Sequence, residues 1–162
     1  MSQPTGSPRL LALDPGVRES GWAFFQEGLL LATGSIGQPR HLEIAAAARV
    51  EYLLDRLDQV VACWQPQTLV CCQPSGIHWL VPSLELLESR LNGWSERHQL
   101  RRHDYTAQEV RAAVTGSAHT SRDQLAYTVM AALGRIGQRK STHEWEAVAV
   151  GYYHLSQKAG TV

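Results

Sequence analysis

The stretch LLALDPGVRESGWAFF, residues 10–25, constrains this chain more than any other. Leu10, Leu11, Ala12 and Leu13 read as a buried strand, and an aspartate directly after such a run is disfavoured by both burial and strand propensity. Pro15 and Gly16 end the strand in a tight turn. Gly21 and the run Trp22-Ala23-Phe24-Phe25 begin a second strand, so a short loop joins the two and leaves Asp14 near the end of the first. A carboxylate there is either a metal ligand or a cap on backbone N–H groups in an Asx-type turn. The residues of this stretch weigh evenly between the two.

The chain continues as a meander, with residues 22–27 and 29–36 pairing as antiparallel strands around Gly28. Residues 41–64 read as one long helix. Ile44, Ala48, Leu53, Leu57, Val60 and Val61 keep a period of roughly 3.6, and Glu51, Asp55, Arg56 and Asp58 fall mostly outside that stripe. Pro66 and Pro74 bound the apolar run 68–72, which suits a buried parallel strand reached by a right-handed helical crossover. A loop over 73–82 brings His78 and Trp79 to the sheet end that holds Asp14. Ser83 opens a helix to residue 97 whose Leu84, Leu87, Leu91 and Trp94 form an apolar stripe, either core or a homodimer seam. A last strand at His103-Asp104-Tyr105 precedes a helix capped by Thr106 and ending at Val114. Helices over 121–133 and 142–157 complete the order. The expected fold is α/β and ribonuclease H-like: a mixed five-stranded sheet, three antiparallel strands and then parallel ones, flanked by helices. Residues 1–8 read as a disordered tail and 9–162 as a single domain.

Composition adds four limits. The formal charge is zero with seven histidines uncounted, so no global charge announces a polyanion partner. Thirteen of the fifteen basic residues are Arg, which suits forked contacts with phosphate, and several cluster between Arg90 and Arg139. No stretch is apolar enough to span a bilayer and no signal-peptide core is visible, which predicts a cytoplasmic protein. Cys63, Cys71 and Cys72 lack paired metal spacing and read as small apolar residues, with Cys71 and Cys72 on opposite faces of their strand.

Asp14-Pro15-Gly16 followed by Gly21-Trp22 resembles the opening hairpin of the RuvC family of Holliday junction resolvases. Tyr105-Thr106-Ala107-Gln108-Glu109-Val110-Arg111-Ala112-Ala113-Val114-Thr115-Gly116, then Arg122-Asp123-Gln124-Leu125, is similar to the family's segment where one helix ends in a glycine turn and the next begins. His143-Glu144-Trp145-Glu146-Ala147-Val148-Ala149-Val150 resembles its final helix, whose usual pattern is D-x-x-D-A-L-A. The resemblance covers nearly the whole chain. It implies a metal-dependent endodeoxyribonuclease of DNA recombination and repair that cuts four-way junctions as a homodimer, here through the 83–97 helix, beside branch-migration machinery. It implies Mg²⁺ or Mn²⁺ held by acidic side chains, two ions per site, because both oxygens of an in-line displacement develop charge and ions about 3.5–4 Å apart stabilise both.

Carried onto this chain, the resemblance makes Asp14, His143 and Glu146 the catalytic and metal-binding residues; the i, i+3 spacing of the last two puts them on one helix face. Arg111 and Arg122 match phosphate-contacting positions, and Arg101 and Arg102 are candidates to extend the DNA track. The chain departs from the pattern at the central strand, where the family has Glu-Gln and this chain has Cys72-Gln73. A neutral thiol is a poor Mg²⁺ ligand. Gln73 through its carbonyl oxygen, or His78, Glu85 or Glu88, are the candidate substitutes. Ser75 replaces the family's wedge aromatic, and Trp79 is near enough in sequence to serve as a DNA-stacking residue. Three readings follow: a junction-cutting nuclease, a catalytically impaired relative that binds branched DNA without cutting it, and an ATP-handling member of the wider ribonuclease H-like superfamily.

Overall fold

The structure is a computed structural model that describes residues 8–37, 45–73 and 82–160. The opening run forms strand β1 (Arg9–Asp14), which pairs antiparallel with β2 (Glu19–Gln26); β2 pairs antiparallel with β3 (Leu29–Gly37). Glu27 and Gly28 at the second hairpin both have positive φ, 54° and 76°, the backbone that a two-residue turn between twisted strands requires. Helix α1 (Ala46–Trp64) crosses to β4 (Thr68–Gln73), parallel to β1. Helix α2 (Pro82–Arg97) leads to β5 (Arg101–Thr106), parallel to β4. Three helices close the chain: α3 (Ala107–Thr115), α4 (Arg122–Ala132) and α5 (Thr142–Ala159). The sheet order is β3-β2-β1-β4-β5, the mixed five-stranded arrangement expected from the sequence.

The expected boundaries shift in places. Ala45 is extended, with ψ 147° and no side-chain cap, so α1 starts at Ala46 rather than near residue 41; residues 41–44 lie outside the described residues, as do 1–7 of the expected tail and most of the 73–82 loop with His78 and Trp79. Strands β2 and β5 begin earlier than expected because Glu19 to Gly21 and Arg101 to Arg102 join their ladders despite weak strand propensity.

Residue parity sorts the core into two layers. Leu10, Ala12, Val70 and Cys72 face α3, α4 and α5, with Trp145, Val148 and Val129 opposite them. Leu11, Leu13, Leu69 and Cys71 face α1 and α2. Cys71 and Cys72 therefore point to opposite faces, as expected, and Asp14, in phase with Leu10 and Ala12, points toward α5. On α2, Leu87, Leu91 and Trp94 are buried in the second layer, and the Trp94 indole donates to Asp58 at 2.8 Å. The stripe is core.

Helix α5 lies very close to the sheet because two glycines permit it. A methyl group on Gly21 would fall on the backbone carbonyl of His143, and one on Gly151 would meet the Phe25 ring and Ala12. Backbone cannot yield as a flexible side chain can. Gly21→Ala is expected to destabilise the protein by about 1–3 kcal/mol through overpacking, whereas Gly93→Ala in α2, where an added methyl meets nothing within 4 Å, should be neutral or stabilising by up to about 1 kcal/mol. Chemical denaturation of the two variants beside the parent checks both signs.

Candidate active site

The loop after β1 frees its aspartate. The turn's Gly16 N–H donates to Ser20 Oγ at 2.9 Å, and that hydroxyl donates back to the Gly16 carbonyl at 2.9 Å. Ser20 thus does the capping that an Asx turn would have asked of Asp14, and the Asp14 carboxylate, 9% exposed, turns to α5 instead. There the His143 Nδ1 lies 2.8 Å from Asp14 Oδ2. This hydrogen bond outweighs burial and raises the His143 pKa.

The start of α5 is held by its own sequence. Ser141 Oγ accepts from the Glu144 N–H, and Glu144 Oε2 accepts from the Ser141 N–H at 2.8 Å, a reciprocal capping box. The other Glu144 oxygen accepts from the Thr33 hydroxyl at 3.1 Å, and Lys140 Nζ donates to that hydroxyl at 2.7 Å. A chain of polar contacts thus ties the helix start to β3. His143 and Glu146, one turn apart, consequently face the β1 terminus together.

Glu146, 8% exposed, accepts from Arg111 at 2.7 Å on its Oε1, with the Arg122 guanidinium 3.4 Å from the same oxygen. Burial, then the charge of Asp14 and a hydrogen bond with it, push the Glu146 carboxyl up to about 7, and the two arginines only partly oppose the rise. Asp14, Pro15, Cys72, Gln73, Leu84, Ala107, Arg111, Arg122, His143 and Glu146 line one open pocket of about 310 Å³. The structure thus brings together six of the residues singled out from sequence: Asp14, Gln73, Arg111, Arg122, His143 and Glu146, with Cys72 beside them. Burial, with Asp14 and Glu146 nearby, pushes the Cys72 thiol well up, so it stays neutral and supplies no charge for a missing carboxylate.

Other candidates are placed elsewhere. Arg101 and Arg102 start β5, level with Thr68 and Leu69, at the sheet end opposite the one where β4 presents Cys72 and Gln73. The Arg102 side chain is 11% exposed and bonds both oxygens of Glu88, at 2.8 and 2.9 Å, and Asp104 at 3.0 Å. Arg102 and Glu88 are thus paired with each other in this structure, away from the acidic pocket. Glu85 does not line the pocket. Sequence reading missed Ser141, Glu144 and Ser20; the pattern Ser141-x-x-Glu144 before an apolar run was the available signal for the first two.

No three His, Cys, Asp or Glu side chains among the described residues already form a cage for a metal ion. The pocket nevertheless fits one. Two adjacent buried carboxyls, one of them with its pKa raised first by burial and then by the other's charge, are the arrangement that a hard divalent cation relieves. Mg²⁺ is commonly bound by one or two carboxylates, with water and substrate phosphate completing the shell.

A sheet of this order, with one acid at the end of its first strand and another on its last helix, defines a ribonuclease H-like protein with an acidic site. No family model matches the chain. It is 26% identical over 166 residues to the RuvC crossover junction endodeoxyribonuclease of Nitrosomonas eutropha, covering 97% of this chain and 90% of that protein. It is 30% identical over 137 residues to that of Bordetella petrii, covering 80% and 73%. Among solved structures, Thermus thermophilus RuvC in complex with a Holliday junction substrate matches with a TM-score of 0.78 at 17% identity over 95% of this chain and 97% of that one. The yeast mitochondrial Holliday junction resolvase matches at 0.58, with 12% identity over 93% and 78%. The chain belongs to the RuvC family of crossover junction endodeoxyribonucleases.

Because folding raises the Glu146 pKa from its ordinary 4.5 to about 7, ionising this carboxyl opposes folding. Without divalent ions, stability is therefore highest below about pH 4.5 as far as this group is concerned, and declines as pH rises to about 7. The raised His143 pKa acts in the same direction: its stabilisation is complete below the ordinary 6.5 and is lost as pH passes its folded value. Glu146→Gln should flatten the decline between pH 4.5 and 7 and leave the histidine's share. Thermal midpoints measured in EDTA across that range test this.

Proposed function

We propose that the protein is a Holliday junction resolvase: a divalent-metal-dependent endodeoxyribonuclease that hydrolyses phosphodiesters at four-way DNA junctions in recombination and repair. The observation that carries this reading is the single pocket shared by Asp14, Glu146 and His143 with Arg111 and Arg122, in a chain of the RuvC family.

A divalent cation, Mg²⁺ or Mn²⁺, held by Asp14 and Glu146 would activate a water and offset charge on the phosphate oxygens. Arg111 and Arg122 bind the phosphate as forked donors, Arg122 being the more exposed, with 58% of its side chain accessible. When phosphate draws these arginines, Glu146 loses part of their support. His143, fixed by Asp14, orients the attacking water and is a third ligand candidate; Gln73 at the end of β4 offers a carbonyl oxygen. Two ions per site would need more charge than two carboxylates and a neutral thiol provide, so one tightly held ion with a weaker second suits this donor set. Trp79 as a stacking residue, a homodimer through the 83–97 helix, branch-migration machinery as a partner and a cytoplasmic location belong to the same proposal. No described helix is long and apolar enough to cross a membrane.

A synthetic four-way junction with Mg²⁺ or Mn²⁺ should be nicked symmetrically, and Asp14→Asn should reduce nicking by at least about 10²-fold while junction binding persists. Junction binding by the parent without nicks under both ions would instead make this a non-cutting member of the family. Cys72→Glu is expected to lower the thermal midpoint in EDTA, by adding a third buried acid, and to enlarge the stabilisation given by Mg²⁺. An unchanged response to Mg²⁺ would count against a missing ligand at that position.

A further inference from the structure

A second open pocket, of about 490 Å³, lies between α4 and the start of α5, lined by Arg122, Asp123, Tyr127, Arg139, Lys140 and Trp145 among others. Arg122 lines this pocket and the acidic one. Thr142 and Trp145, which line the second, alternate along α5 with His143 and Glu146, which line the first. The two pockets are therefore neighbours separated by one arginine and one helix edge.

Its lining has the chemistry of a nucleotide site. Tyr127 is 59% exposed although it is large and apolar, and the core has no use for it. Trp145 closes the floor at 3% exposure, with the Lys140 ammonium 5.8 Å from its ring centre. Lys140 is spent holding Thr33, so it builds the wall. Arg139 has no ion-pair partner among the described residues, and Arg122 reaches only one oxygen of Glu146, at 3.4 Å. Both can take phosphate. Gly134 and Gly137, at φ 66° and 89°, turn the segment before Arg139 so that Gln138, Arg139 and Lys140 form the rim. Among the lining residues Asp123 is the one carboxylate. An exposed aromatic ring sharing a pocket with two forked cations is how proteins hold an unpaired or splayed nucleotide without reading its sequence.

We infer that this α4–α5 pocket binds one nucleotide of the DNA strand next to the phosphate being cut, with its base stacked on Tyr127 and its flanking phosphates on Arg122 and Arg139. The inference rests on the junction-cutting function proposed above. It assigns Tyr127 and Arg139 a role in holding the strand, and neither belongs to the acidic pocket. An occupied subsite keeps the strand from sliding and sets which phosphate meets Asp14 and Glu146.

Junction binding by gel shift in EDTA, with the full chain, tests this. Tyr127→Ala should weaken binding roughly tenfold and Tyr127→Phe should not, since stacking needs the ring and not the hydroxyl. Arg139→Ala should weaken binding and lower the slope of log affinity against log salt by about one. Junctions carrying a single abasic residue at successive positions on either side of the cut should include one at which the parent loses a similar factor and Tyr127→Ala loses nothing further. Parent-like binding by Tyr127→Ala, or a Tyr127→Ala loss that persists at every abasic position, overturns the subsite while leaving the junction function intact. A parent that binds no four-way junction overturns both.

Discussion

The approach of α5 to the β1–β2 hairpin is the contact on which the site depends. Asp14 pairs across the sheet with Gly21, and the missing side chain of Gly21 is the space in which the His143 backbone sits. Without that space the helix start would stand off, and the 2.8 Å contact between His143 and Asp14 would be lost. The same closeness continues at Gly151, over Phe25 and Ala12. Packing there buries Ala147, Val148, Ala149 and Val150 almost completely, and the energy of that apolar face is what forces two carboxyls into one enclosed corner. Burial and the neighbouring Asp14 charge act together there, and both push the Glu146 carboxyl up, to about 7.

The exchange of an acid for Cys72 bears on that balance. With the thiol neutral, the pocket holds Asp14 and Glu146 against Arg111 and Arg122, two potential negative charges and two fixed positive ones. A third carboxylate at Cys72, buried and adjacent, would add repulsion with no further arginine to offset it. Arg111, Arg122 and His143 already face the two acids in this pocket, so Asp14 and Glu146 have cationic partners within the chain itself. Any cation entering this corner would have to compete with Arg111 and Arg122 for Glu146 Oε1, since both guanidinium groups already lie against that oxygen.

Much of this was legible in the sequence because its signals are local. The buried strand ending in Asp14-Pro15-Gly16, the proline-bounded run before Cys72 and the i, i+3 spacing of His143 and Glu146 each rest on a few consecutive residues, and the structure reproduces all three. Two kinds of feature escaped. One is long-range: Arg102 looks like any strand-end arginine until Glu88, fourteen positions away, closes over it. The other is division of labour among polar residues. Whether Asp14 caps its own turn or faces the site depends on Ser20, six residues on, and serine in a strand carries no distinctive pattern. The helix boundary at Ala46 was obscured because the alanine run 45–47 has high helix propensity throughout, although Ala45 itself is extended.

Formal neutrality likewise hides a local excess. After residue 106 the chain has six Arg or Lys residues and four Asp or Glu. Glu109 and Glu144 are both bound to the backbone N–H of their helix caps, where the helix dipole takes up their charge. Glu146 is largely protonated below its raised pKa of about 7. Asp123 is the remaining carboxylate on this half. The acids that balance the sum, such as Glu51, Asp55 and Asp58, sit on α1, which covers the opposite face of the sheet. A neutral chain thus presents one face on which arginine dominates, and that face carries the acidic pocket and the α4–α5 pocket side by side. A chain of zero net charge can therefore carry a basic face when the carboxylates of that face are consumed by helix caps and by burial.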